Sequence, residues 1–141
     1  MNKLMQMGLC LMFVLACVSV ATAGAREKEE AALSAAKKWL TMVDEGKYSE
    51  SWRAASSYFQ NAVKEEEWKE KMNAYRIPLG KLLSRNIKTK TYKTSLPGAP
   101  DGEYVMIQFK ASFENKKEAI ETVTPMVDTD GKWHVSGYYI K

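Results

Sequence analysis

The chain has 141 residues, room for one domain with one modest core. Its 21 basic and 17 acidic residues leave a formal charge of +4, dispersed among acidic runs such as Glu65-Glu66-Glu67, which excludes the dense basic patch of a nucleic-acid binder. One histidine and two cysteines are too few for a His/Cys metal cluster, so no metal or other cofactor is expected.

Lys3 opens a short positive region, Leu4 to Val20 is apolar and uncharged, and Ala21-Thr22-Ala23 offers the small residues at which a signal peptidase cuts. The apolar run falls short of the roughly 20 residues of a membrane span, and charge follows at once from Arg26. The expectation is a secretory signal over residues 1–23, a domain over 24–141, and a periplasmic or secreted address. Val14-Leu15-Ala16-Cys17 competes as a lipobox with a weak position at Leu15, and lipidation at Cys17 is the one route to a membrane. Cleavage after Ala23 would remove both Cys10 and Cys17, leaving an exported domain held by its core without disulfides. It would also remove any cysteine nucleophile, and a single histidine, His134, argues against Ser-His-Asp chemistry.

Three helical stretches follow. From Arg26 to Asp44, Ala32, Ala36, Leu40 and Val43 fall at helical spacing, with Leu33 and Trp39 widening the apolar face. Glu27, Glu29 and Glu30 suit the positive end of its dipole, and Gly46 is a stop. A second helix is expected from Ser49 as N-cap, carrying Trp52, Ala55 and Phe59 inward, and a third over Lys64 to Tyr75, with Trp68, Met72 and Tyr75 in register and Pro78 and Gly80 ending it. The three helical tryptophans read as cover for a sheet rather than a cofactor cage.

After Gly80 the period changes to two. Lys81 to Lys93 alternates moderately; Val105, Ile107, Phe109, Ala111 and Phe113 alternate cleanly; Lys117 to Val127 makes a third strand after a turn at Glu114-Asn115. Asp128-Thr129-Asp130-Gly131 is a hairpin connection into a last strand, Lys132 to Ile140, with Trp133, Val135 and Tyr139 in alternation. Pro125 cannot donate to a ladder, so a bulge, bend or edge is expected near it. The run Leu96 to Gly102, "LPGAPDG", leads into a strand and lacks the Lys-Ser/Thr of a phosphate loop, so it reads as a rigid corner. Short turns force antiparallel neighbours. The fold class is therefore α+β: three N-terminal helices packed on one face of a curved four-stranded antiparallel meander.

The segments "DEGKYSESW", "IPLGKLLSR", "LPGAPDGEYVMIQF" and "ETVTPMVDTDGKWHVSGYYI" together resemble a family of exported bacterial proteins, domain of unknown function 4019, over about Ala32 to Ile140. The resemblance implies an exported protein with a cone-like fold similar to that of nuclear transport factor 2 and ketosteroid isomerase. It brings no assigned activity and no catalytic positions.

A cone of helices and sheet often encloses a pocket. Isomerase-type chemistry there needs a carboxylate base and acidic donors in a dry cavity. Glu121 is the candidate base, mid-strand on the face of Ala119, Val123 and Val127, with Tyr104, Tyr138 or Tyr58 as candidate phenol donor. Arg85 is the alternative partner, which would make Glu121 half of a structural ion pair. Arg85, Glu121 and Tyr138 are accordingly the candidate ligand-binding residues. His134 reads as a boundary residue. Lys88 and Lys90, expected on one strand face with Lys93 and Lys110 nearby, read as a solvated face that discourages edge pairing, with an anionic partner as the alternative. The leading reading is an exported, non-enzymatic module binding a small molecule or an envelope protein. The alternatives are an isomerase or dehydratase using Glu121, and a structural homodimer formed through the sheet.

Overall fold

The structure, a computed structural model, describes the backbone of residues 5–141 and the side chains of residues 23–141. The expected lipobox and signal core depend on side chains outside the described ones, Cys10 and Cys17 included.

The first helix, α1, spans Met5–Asp44 and ends where the apolar spacing predicts. Its stop is a left-handed Gly46 (φ 74°): the Gly46 N–H donates to Val43 O (3.1 Å) and the Lys47 N–H to Met42 O (2.9 Å), satisfying two end carbonyls. The face carrying Ala32, Leu33, Ala36, Trp39, Leu40 and Val43 is buried. The expected second helix is two: α2, Tyr48–Ala54, and α3, Ser57–Ala62. Ser49, the expected cap, lies inside α2, whose N-cap is Lys47 without a side-chain hydrogen bond; the capping serine is Ser56, at the start of α3. Its hydroxyl accepts from the Phe59 N–H (3.1 Å), and its own N–H leaves the helix ladder to donate to Val135 O on the last strand (2.8 Å). That cross-link to the sheet breaks the helix. The fourth helix, α4, Glu65–Tyr75, buries Trp68 and Met72, and a 3₁₀ turn at Ile77–Leu79 leads to Gly80 (φ 75°). There are thus four helices where three were expected.

Four strands follow as an open antiparallel sheet in the order β1 (Leu82–Lys93), β2 (Tyr104–Phe113), β3 (Lys116–Val127), β4 (Trp133–Ile140). Helices first and an antiparallel meander after make the fold α+β. Val105, Ile107, Phe109, Ala111 and Phe113 all face the helices and are buried, each large side chain contributing roughly 1.5–3 kcal/mol. The buried apolar residues form two clusters. The larger joins α1, Phe59, Trp68 and Met72 to the middle of the sheet, and the smaller holds Ala111, Phe113 and Ala119 with Leu79, Leu82 and Ile140 against it. In β3, Ala119 belongs to the smaller cluster and Val123 to the larger, so Glu121 sits on the seam between them.

Two register shifts revise the expected faces. Between Ile87 and Thr89 of β1, Lys88 is an extra residue, so Lys88 and Lys90 do not share a regular face. Lys90 instead turns to Glu30 of α1. In β4, Thr124 pairs with Gly137 but Pro125 with Val135, leaving Ser136 over as the bulge expected near Pro125. The Ser136 hydroxyl donates to Thr124 O (2.7 Å). Beyond it the alternation reverses: Tyr139, expected inward with Val135, is 52% exposed, and Tyr138 turns to the core.

The "LPGAPDG" run forms the corner between β1 and β2. It is tied by Gly102 N–H to Thr94 O (3.1 Å), by the Tyr104 hydroxyl to Pro100 O, and by the Tyr58 hydroxyl to Gly98 O (3.2 Å).

Candidate functional site

Five chain segments converge on the seam. The last turn of α1 brings Asp44, the end of α4 brings Arg76, and the sheet brings Arg85 from β1, Glu121 from β3 and, because of the bulge, Tyr138 from β4. Arg85 grips both carboxylates: its Nε and Nη2 donate to the two Glu121 oxygens (2.7 and 3.1 Å), and its Nη1 and Nη2 to the two Asp44 oxygens (2.7 and 3.0 Å). The Tyr138 hydroxyl donates to Glu121 Oε2 (2.6 Å). Arg76 reaches Asp44 (3.3 Å) and Gly80 O (2.7 Å) and lies over the Phe113 ring at 4.6 Å.

Two arginines and two carboxylates make the group neutral, as a low-dielectric site requires. The Glu121 side chain is fully buried, that of Arg85 13% exposed and that of Asp44 20%. Burial works against the Arg85 charge, but the hydrogen bonds it donates to Asp44 and Glu121 outweigh it and hold the guanidinium pKa above its ordinary value. Burial pushes the Tyr138 phenol well up, and the neighbouring Glu121 charge pushes it further, so the hydroxyl stays a donor. Arg76 is 4% exposed, and its Nε is a buried donor with no partner among the described residues.

The structure therefore brings together Arg85, Glu121 and Tyr138, the three candidate residues. Both oxygens of Glu121 are held and its side chain is fully buried, which sets it apart from a poised general base. Tyr104 and Tyr58 do not reach it; their hydroxyls bind the corner. The space an interior pocket would need is filled by Trp39, Trp68, Phe59 and Tyr138, stacked edge-on or tilted with centroids 5.1–6.2 Å apart. Trp39 Nε1 donates to Ser51 O (2.7 Å) and Trp68 Nε1 to Ser51 Oγ (2.9 Å), so the aromatic wall is fixed.

Asp44 and Arg76 escaped the sequence reading. Each had a signal: Asp44 lies four residues after Leu40, and Arg76 four after Met72, so each continues an apolar stripe with a charge.

Outside this wall lies an open groove of about 610 Å³ between α4 and the end of β4. Trp68 and Tyr138 form its floor, with Tyr75, 72% exposed, and Tyr139 at its rim. The groove shares Arg76 with the buried quartet of Asp44, Arg76, Arg85 and Glu121, and it also includes Tyr138, the hydroxyl donor to Glu121.

His134 lies elsewhere, in a clasp between the β3–β4 hairpin and the α2–α3 junction. Its Nδ1 faces Ala54 O (3.1 Å) and its Nε2 faces Asp130 Oδ2 (2.7 Å). Two acceptors require two donors, which only the imidazolium supplies. Beside it Asp128 accepts from the Ser57 N–H (2.8 Å) and hydroxyl (2.6 Å), capping α3 from across the fold. Among the described residues no cluster of three or more His, Cys, Asp or Glu side chains is placed to hold a metal.

The family described as "Protein of unknown function (DUF4019)" matches residues 35–138. A solved structure from Catenulispora acidiphila resembles the chain with a TM-score of 0.47 at 8% identity, covering 88% of this chain and 93% of that one. No curated protein matches the sequence.

Proposed function

The chain belongs to the DUF4019 family, and from that premise we propose that its domain is an exported, non-enzymatic module that binds a small molecule in the groove between α4 and β4. The observation that carries the reading is the groove itself. It is roomy enough for a small organic molecule, floored by Trp68 and Tyr138 and rimmed by exposed Tyr75 and Tyr139. Exposed aromatics around a concave floor suit a ligand with an apolar body. The buried quartet is the rigid backing of that floor. Because Arg85 and Tyr138 hold both Glu121 oxygens, proton abstraction would first have to break the quartet, which weighs against the isomerase or dehydratase alternative.

Export is supported by the charged Lys3, the apolar Leu4 to Val20 and the Ala21-Thr22-Ala23 site. Mass spectrometry of the protein from its native envelope should find Gly24 as the first residue; a lipidated Cys17 would place the module on a membrane instead.

A screen of small aromatic compounds by amide chemical-shift mapping tests the site. Binding should move resonances of Lys71 to Arg76 and Tyr138 to Lys141 together. Compounds that bind only elsewhere, or none that bind, would overturn the reading. Glu121→Gln should leave such binding within about twofold of the parent, since Glu121 lies behind the floor; turnover of a bound compound that the same substitution abolishes would restore the enzymatic alternative.

A further inference from the structure

We infer that the groove selects a small carboxylate carried on an apolar or aromatic body, an inference that rests on the binding-module reading above. Four of the residues lining the groove are cationic, Lys71, Arg76, Lys116 and Lys141, and none is acidic. Arg76 is balanced inside the quartet, but Lys71, Lys116 and Lys141 have no ion-pair partner among the described residues. Two acids near Lys71 in sequence are committed elsewhere. Glu67, one turn before Lys71, accepts from the Lys64 N–H (3.4 Å), and Glu66 pairs with Lys69 (3.3 Å). The side chains lining the groove thus carry an excess of positive charge over an aromatic floor, and its wall includes Arg76, whose Nε is a buried donor without an acceptor among the described residues.

The geometry favours a carboxylate over a phosphate. Phosphate sites use helix N-termini or glycine-rich amide cradles. Here the groove lies at the C-terminal end of α4, whose dipole opposes a doubly charged anion more than a singly charged one, and the nearby backbone amides are spent: Leu79 N–H donates to Arg76 O (3.1 Å) and Gly80 N–H to Ile77 O (3.1 Å). Flexible lysines over an apolar floor suit a singly charged group attached to a ring or short chain, its body on Trp68 and its charge toward the lysines.

The test uses three probes of one shape: naphthoate, naphthalenemethanol and naphthylmethylammonium, each titrated into the isotope-labelled protein at low and high salt. Naphthoate should shift the amides of Lys71 to Arg76 and Tyr138 to Lys141 and bind at least about tenfold more tightly than the alcohol. High salt should erase that preference. The reversal K71E/K116E should abolish it, while K88E/K93E, on β1 away from the groove, should keep it; thermal melts of both variants verify folding. If the alcohol or the ammonium binds in the groove as tightly as naphthoate, the carboxylate inference falls and the groove reading stands. If no probe perturbs the groove, both fall.

Discussion

Arg85→Met tests the buried quartet directly. The substitution keeps most of the side-chain volume but removes four hydrogen bonds to Glu121 and Asp44. Glu121, fully buried, keeps only the Tyr138 hydroxyl, whereas Asp44 retains Arg76 and some solvent. Stripping one partner from a buried pair costs about 3–5 kcal/mol. The partial exposure of Arg85 and Asp44 places the expectation at the lower end, about 3 kcal/mol. For a domain of this size 1 kcal/mol moves the thermal midpoint by roughly 4 °C, so Arg85→Met should melt about 12 °C lower. The double variant Arg85→Met, Glu121→Met leaves the Asp44–Arg76 pair and removes the orphaned charge, and should recover more than half of the loss. Circular dichroism melts and urea titrations at neutral pH measure both. A fall of less than about 4 °C in the single variant, or a double variant no more stable than the single, would refute the argument that an uncompensated Glu121 sets the cost.

Three further outcomes are expected. Burial lowers the His134 pKa, but the hydrogen bonds to Asp130 and Ala54 O more than offset it and leave the pKa raised. Its contribution is therefore complete below the unfolded imidazole value of about 6.5 and is lost as pH rises through the folded value. The stability difference between the parent and His134→Asn should shrink from about pH 5 to about pH 9, and a difference that grows would sink the clasp. Ser51→Ala removes the acceptor of Trp68 Nε1 and should cost about 1–3 kcal/mol, with a change in tryptophan fluorescence; an unchanged melt would mean the indole is satisfied otherwise. Asp128→Ala removes the acceptor of the Ser57 N–H and hydroxyl and should cost about 1 kcal/mol, with amide exchange rising at Ser57 before the sheet; uniform exchange across the domain would count against a local cap.

The elements that were legible in the sequence are those in which one local rule acts alone. The C-terminus of α1 follows from apolar spacing and Gly46, α4 from its own stripe and Pro78, and β2 from uninterrupted alternation. The α2–α3 break was hidden because its cause is distant: Ser56 donates to Val135, about eighty residues on. At the site, Glu121 and Arg85 were readable because a charge on a buried-parity strand position needs a partner. Tyr138 was readable as a donor but not by its face, since alternation counted from Val135 turns Tyr139 inward. Asp44 and Arg76 were missed because both sit at helix ends, where a charge is ordinary and only the continued apolar stripe marks it as inward.

The bulge at Ser136 acts as a parity operator. Deleting that residue would close the bulge and keep Val135 and Tyr138 on one face, whereas keeping it in a regular ladder, Ser136 opposite Thr124, would exchange the roles of Tyr138 and Tyr139, carrying one hydroxyl away from Glu121 and one ring out of the groove. What makes the two tyrosines different is therefore not their identity, which they share, nor their surroundings in sequence, but the one residue that the ladder leaves unpaired between Val135 and Gly137. A chain one residue shorter at this point would therefore keep the site on a regular β4, whereas one that kept the residue and lost the bulge would lose the site.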